Sequence, residues 1–206
     1  KDLMKPLIKI CGIKDLNILN QLIELEAIDF IGFIFFEKSP RNVSNNFLNI
    51  VNGINLKNKR AVCVYVDASQ EFIQQTSSNF QNPILQFHGN ESNDFCKSFN
   101  KDFWKVIRVK DSNSINIVSD YPDASAILFE NYTKGLYGGT GSVFDWSLLK
   151  NINKNDKKII ISGGINIENV DNAISVNPWC IDINSGVETS PGVKDLDLIK
   201  QVLQKF

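Results

Sequence analysis

Eight short apolar runs, rich in β-branched and aromatic residues and each followed by a turn signal, recur along the chain. They are "LIKICG" (7–12), "DFIGFIFF" (29–36), "AVCVYVD" (61–67), "PILQFHG" (83–89), "FWKVIRV" (103–109), "SAILFE" (125–130), "KIIISGG" (158–164) and "WCIDINSG" (179–186). Near-continuous apolar strands are the pattern of a parallel sheet buried on both faces. Several spacers between them carry helical periodicity: "DLNILNQLIELEA" sets Leu16, Leu19, Ile23 and Leu25 broadly on one face, and "FDWSLLKNI", "NIENVDNAIS" and "DLDLIKQVLQKF" behave similarly. The spacer at 110–124 is weakly patterned and predicts an irregular connection or a short helix. Alternating strands and helices give an α/β architecture, and eight units favour a closed (β/α)₈ barrel over an open doubly wound sheet. At 206 residues the chain sits near the lower end for that barrel, so its loops should be short. No low-complexity linker interrupts it, and one domain over residues 1–206 is expected.

Composition narrows the function classes. With 43% hydrophobic residues the chain is a folded globule, and a net charge of −1 gives no footprint for nucleic acid or an anionic membrane. No apolar run reaches transmembrane length, and "KDLMKPLIKI" lacks the apolar core and cleavage site of a signal peptide. Cys11, Cys63, Cys96 and Cys180 form no CxxC and have no histidine at zinc-ligand spacing. They read as free thiols in a reducing cytoplasm, with no metal site.

In such a barrel, chemistry gathers at the C-terminal ends of the strands. Strand 1 ends in Cys11-Gly12, strand 2 is followed by "EKSPRNV", and strand 4 ends in Gln86, His88 and Gly89. Strand 6 ends in Glu130-Asn131, strand 7 in "SGG" and strand 8 in "DINSGVETSPG". Polar and glycine residues thus collect at one end of the strands. Cys11 is either a small buried hydrophobe or a thiol turned into a pocket by Gly12. Gly163 and Gly164 in "SGGINIEN" permit close backbone approach before a helix start, and their N–H groups suit an anion. Ser185 and Gly186 in "NSGVETSPG" repeat the device after strand 8, and phosphate often binds between these two loops of a barrel. A third glycine-rich loop, "YGGTGSVFDW", carries Gly141 and is placed to close over the same ligand.

Taken together, "KICGI", "GFIFFEKSPRNV", "LQFHGNES", "GGTGSVFDWSLL", "SGGINIENV" and "DINSGVETSPGVKD" resemble the phosphoribosylanthranilate isomerases of tryptophan biosynthesis over nearly the whole chain. The resemblance implies a (β/α)₈ barrel with no cofactor and no metal, acting as a monomer or homodimer on a small phosphosugar. It implies an Amadori rearrangement of N-(5-phosphoribosyl)anthranilate to 1-(2-carboxyphenylamino)-1-deoxyribulose 5-phosphate. An acid must open the furanose ring and a base must then remove the neighbouring carbon-bound proton, so two groups of different pKa are needed on opposite sides of the sugar. On the family pattern Cys11 is the base, which requires a thiolate from a group whose free pKa is about 8.5. Arg41 in "SPR" matches the arginine that holds the anthranilate carboxylate, a bidentate pairing that suits guanidinium. Asp182 matches an aspartate on strand 8. It is open to three roles: orienting a sugar hydroxyl, tuning Cys11, or pairing structurally with Lys9. His88 matches an "HG" motif and reads as a structural residue.

The chain departs from the family at strand 6, where the family's acid is an aspartate in an "LLD" or "LFD" context and this sequence reads "ILFEN". Glu130 shares the parity of Ala126 and Leu128, which turns it inward, and it keeps a carboxyl. Counting back from "YGGTG" instead puts Asn131 in the slot, and an amide cannot serve as a general acid. Two other readings follow. An aminoimidazole-carboxamide ribotide isomerase of histidine biosynthesis would use paired aspartates, against which Cys11 and "SPR" argue. A non-catalytic phosphosugar-binding barrel would follow from the missing aspartate, against which the retained Cys11, Arg41 and phosphate loops argue.

Overall fold

The computed structural model describes residues 5–131, 145–152 and 157–206. Eight parallel strands close into a barrel in sequence order: β1 (Leu7–Ile10), β2 (Phe30–Phe35), β3 (Arg60–Tyr65), β4 (Ile84–Phe87), β5 (Phe103–Val109), β6 (Ala126–Asn131), β7 (Lys158–Ile161) and β8 (Cys180–Ile183). The seam is β1 on β8, with Lys9 paired opposite Asp182. The barrel expected from the alternation is therefore present. The apolar runs outlast their strands: Cys11 and Gly12 lie just past β1, yet still donate backbone hydrogen bonds to Ile183 and Gly32 at 2.9 and 3.0 Å.

Side chains alternate between two cores, as a strand's period of two requires. Cys11, Phe30, Val62, Val64, Trp104, Val106, Ala126, Leu128, Ile160 and Cys180 fill the barrel interior, and the larger outer core lies between strands and helices. Phe30, Trp104 and Trp179 plug the N-terminal end with ring centroids 5.0–5.9 Å apart. Each such aromatic pair adds about 0.5–1.5 kcal/mol beyond its buried area. With that end sealed, the open mouth is the C-terminal end.

The helices are α1 (Leu16–Glu24), α2 (Asn45–Val51), α3 (Gln70–Ser77), α4 (Asn93–Lys97), α5 (Val170–Ser175) and α6 (Leu196–Leu203). Asp15, Ser44, Ser69, Ser92 and Asp195 cap five of them by accepting the N–H three residues on. Such a cap contributes about 1 kcal/mol, and it fixes where each strand-to-helix loop ends. The connection from β5 to β6 is irregular: a 3₁₀ segment, Ser112–Asp120, opened by a capping box on Asp111. The pattern in "FDWSLLKNI" produces a 3₁₀ segment at Trp146–Asn151. There the three-residue repeat puts Trp146 and Leu149 on one buried face, which an α-helical reading of the same residues mistakes for a wider stripe. After β8, a short 3₁₀ turn (Ser185–Val187) leads into an antiparallel hairpin of β9 (Glu188–Ser190) and β10 (Val193–Lys194). Among the described residues no helix is long and apolar enough to cross a membrane.

Candidate active site

At the C-terminal mouth lies an open cavity. Cys11, Arg41, Glu130, Gly163, Gly164, Asp182 and Ser185 line it, together with Gln86, His88, Ser162 and Asn184. These side chains come from six strands or the loops behind them, so the barrel alone brings them together. Gly141 lies outside the described residues.

Gly12 has φ +79°, and a Cβ there would stand 2.8 Å from Arg41 Cδ and 2.9 Å from Asn184 Oδ1. The bare glycine lets the β1 loop turn left-handed and lets Arg41 pass close beneath the mouth. Gly32 does similar service on β2, because a Cβ would come within 2.6 Å of Cys11 Sγ and 3.0 Å of Lys9 Cε. Burial pushes the Cys11 thiol above its ordinary pKa; the charges of Lys9 and Lys194 oppose the rise and that of Asp182 adds to it. The other three thiols are deeply buried in the cores. Burial lifts Cys63 and Cys96 to about 12 and Cys180 well above its ordinary value.

Facing Cys11 from β6, Glu130 is buried and its Oε1 lies 2.5 Å from His88 Nε2. Phe129 and Asn131 flank it, with Phe129 in the outer core and Asn131 half-buried at the strand end. The His88 loop is held from behind. Lys105 donates to Gly89 O and Glu91 Oε2 at 2.7 and 2.8 Å, and Glu91 Oε1 accepts the N–H groups of Asp67 and Gly89. His88 is thus more than a packed core residue: it touches the one carboxyl that β6 turns into the cavity.

Lys9 lies fully buried inside the barrel, donating to Asp182 Oδ2 at 2.8 Å and Gln86 Oε1 at 2.9 Å. Asp182 Oδ1 is buried and has no partner among the described residues. A buried unpaired carboxylate oxygen is costly, and this one belongs to a cavity-lining residue. Arg41 is engaged twice, Nε to Glu188 Oε1 at 2.9 Å and Nη2 to Glu188 Oε2 at 2.7 Å. Lys194 completes the cluster, donating to Glu188 Oε1 at 2.5 Å and to Asn184 Oδ1 at 2.7 Å. Burial opposes the charge on Glu188, but Arg41 and Lys194 outweigh it and hold its carboxyl below the ordinary range. Glu188 and Lys194 stood inside the motif "SGVETSPGVKD" without an assigned role, since nothing in sequence spacing shows that a hairpin folds them back onto Arg41.

On the β7–β8 side, Gly163 and Gly164 have φ +91° and +66°, a left-handed pair that exposes their amides. Neither gives its N–H to a protein acceptor among the described residues. The asparagines of "SGGINIEN" fix this loop: Asn169 Nδ2 donates to Gly164 O at 2.9 Å, and Asn169 Oδ1 accepts from Asn166 N. Gly186 does not line the cavity. A Cβ there would strike Ile165 O at 1.8 Å, so it serves by letting the β8 loop lie against the β7 loop.

A family model for N-(5'-phosphoribosyl)anthranilate (PRA) isomerase matches residues 8–205. The N-(5'-phosphoribosyl)anthranilate isomerase of Hahella chejuensis is 38% identical over 197 residues, covering 95% of this chain and 91% of that protein. The one from Legionella pneumophila (strain Paris) is 39% identical over 191 residues, covering 91% and 90%. Among solved structures, phosphoribosyl anthranilate isomerase from Thermotoga maritima superposes with a TM-score of 0.86 at 31% identity over 98% of both chains. A phosphoribosyl anthranilate isomerase in complex with reduced 1-(o-carboxyphenylamino)-1-deoxyribulose 5-phosphate gives 0.83 at 30% identity, again over 98% of both. By its sequence along almost its whole length and by its barrel, this chain belongs to the N-(5'-phosphoribosyl)anthranilate isomerase family.

Proposed function

We infer that this barrel rearranges N-(5'-phosphoribosyl)anthranilate to 1-(2-carboxyphenylamino)-1-deoxyribulose 5-phosphate, a step of tryptophan biosynthesis, using Cys11 as base and Glu130 as acid. The observation that carries the assignment of roles is that a thiol from the β1 end and a carboxyl from β6 both face one cavity, with a glycine-rich anion loop on one side and a guanidinium on the other. The solved relative with a reduced product bound supports the substrate class.

The substrate's phosphate sits on the amides of Gly163 and Gly164 and on Ser185, and its carboxylate on Arg41, while Asp182 orients a sugar hydroxyl. Held at both ends, the ribose lies between Cys11 and Glu130. Glu130, held by His88, acts as the acid: a proton passes from its carboxyl to the ring oxygen as the C1–O bond breaks, and the anilino nitrogen supplies the electron pair that forms the iminium. The Cys11 thiolate then takes the proton from C2, whose electrons form the C1=C2 bond and neutralise the nitrogen. Loss of the enol O–H proton and protonation at C1 give the ketone, with no net gain or loss of protons.

The chain acts as a monomer or as a homodimer; one solved relative is described as dimeric. Four free, buried thiols suit a reducing cytoplasm. The test is direct: purified protein with freshly prepared phosphoribosylanthranilate, product read by absorbance through a coupled indole-glycerol-phosphate-forming step. Turnover supports the reading. Binding of the substrate without turnover would leave a phosphosugar-binding barrel instead.

A further inference from the structure

A fully buried lysine needs an explanation. Lys9 lies inside the barrel with no solvent exposure, where an ammonium is expensive unless paired. Pairing with Asp182 alone would leave the two charges a purely structural burden, since apolar residues of similar volume commonly stabilise such a site as well. The ammonium has three protons, of which Asp182 and Gln86 take two. Lys9 and Cys11 are two residues apart on one strand and share its inward face. The missing Cβ of Gly32 leaves one space into which both Cys11 Sγ and the end of the Lys9 stem project.

We propose that Lys9 is a positioning residue that holds the Cys11 thiolate, with Asp182 on its other side as the counterweight that restrains this effect. The proposal rests on the reading of Cys11 as the base. The charges around Cys11 fit it. On β1 stands Lys9, on β8 Asp182, behind β2 Arg41, and on the hairpin Glu188 and Lys194; the His88–Glu130 pair faces from β4 and β6. Lys9 and Lys194 bring positive charge to Cys11, and Asp182 brings negative charge. Lys9 is the firmer cation of the two lysines. Burial would lower its pKa, but Asp182 and Cys11 raise it above the ordinary value, whereas burial leaves that of Lys194 lowered.

The experiment is the pH dependence of iodoacetamide alkylation of Cys11 in the full-length chain, followed by mass spectrometry of the Cys11 peptide. Wild type, Lys9→Met and Asp182→Asn are compared, with circular dichroism to confirm folding. The midpoint should rise by about one pH unit or more in Lys9→Met and fall in Asp182→Asn. A lysine that only fills space leaves the midpoint of Lys9→Met where it stands in wild type. An unchanged midpoint in folded Lys9→Met overturns the proposal. If that variant does not fold, an unchanged midpoint in Asp182→Asn does so. Turnover of Cys11→Ser, measured alongside, separates the two claims. Moving midpoints with an active Cys11→Ser support Lys9's hold on the thiolate while removing Cys11 as base. Fixed midpoints with an inactive Cys11→Ser leave the base in place and overturn the role of Lys9.

Discussion

His88 Nε2 and Glu130 Oε1 stand 2.5 Å apart, joining the ends of β4 and β6 across the mouth of the barrel. The contact gives the departure from the family aspartate a physical sense. The imidazole holds in place the carboxyl we propose as the acid, whose proton ring opening requires.

Removing that proton while keeping the shape should therefore be costly. Glu130→Gln is expected to lower kcat by a factor of about 10² or more, within the general-acid range. Glu130→Asp keeps an acid and should stay active, and Asn131→Ala should cost far less than Glu130→Gln. Steady-state kinetics of the three folded variants check this. Full activity in Glu130→Gln would put the acid elsewhere.

Arg41 is bound through Nε and Nη2 by Glu188, which fixes the guanidinium plane before any ligand arrives. A carboxylate ligand then meets an already oriented Arg41. Arg41→Ala loses a charge-assisted pair worth about 1.5–3 kcal/mol, so KM should rise roughly ten- to a hundredfold. Its kcat should change less. A variant with unchanged KM but reduced thermal stability would make Arg41 a structural residue.

The same pair predicts a pH response of stability. Arg41 and Lys194 hold the Glu188 carboxyl below the ordinary value of 4.5. The unfolded chain then binds the proton more readily than the folded one, so this contribution to stability is present above about pH 4.5 and is lost as pH falls through the lowered pKa. Glu188→Gln should flatten the part of the acid-denaturation profile below that point. A profile identical to wild type in thermal melts from pH 3 to 6 would contradict this.

Much of this was legible in the sequence, for a physical reason. The eight apolar runs are strands because a parallel barrel buries both faces, and the polar residues after them share one rim because every strand runs the same way. The turn after β7 was legible because its left-handed backbone favours glycine at Gly163 and Gly164. Pairings across the barrel were not. The sequence gives no sign that His88 meets Glu130, which lies 42 residues away. Glu188 and Lys194 reach Arg41 through a hairpin that leaves no periodic signature. The 3₁₀ segment at Trp146–Asn151 was hidden because two apolar residues three apart satisfy both helical periods.

The central claim is that the Cys11 thiolate removes the C2 proton, and kcat of Cys11→Ser on phosphoribosylanthranilate tests it most directly. Serine keeps the size and hydrogen-bonding reach of the side chain but is far weaker as a base near neutral pH. With the fold confirmed by circular dichroism, kcat should fall by about 10²–10⁴-fold, the range of general acid–base contributions, with KM within a few-fold of wild type. A folded Cys11→Ser protein that turns over at close to the wild-type kcat would contradict the account.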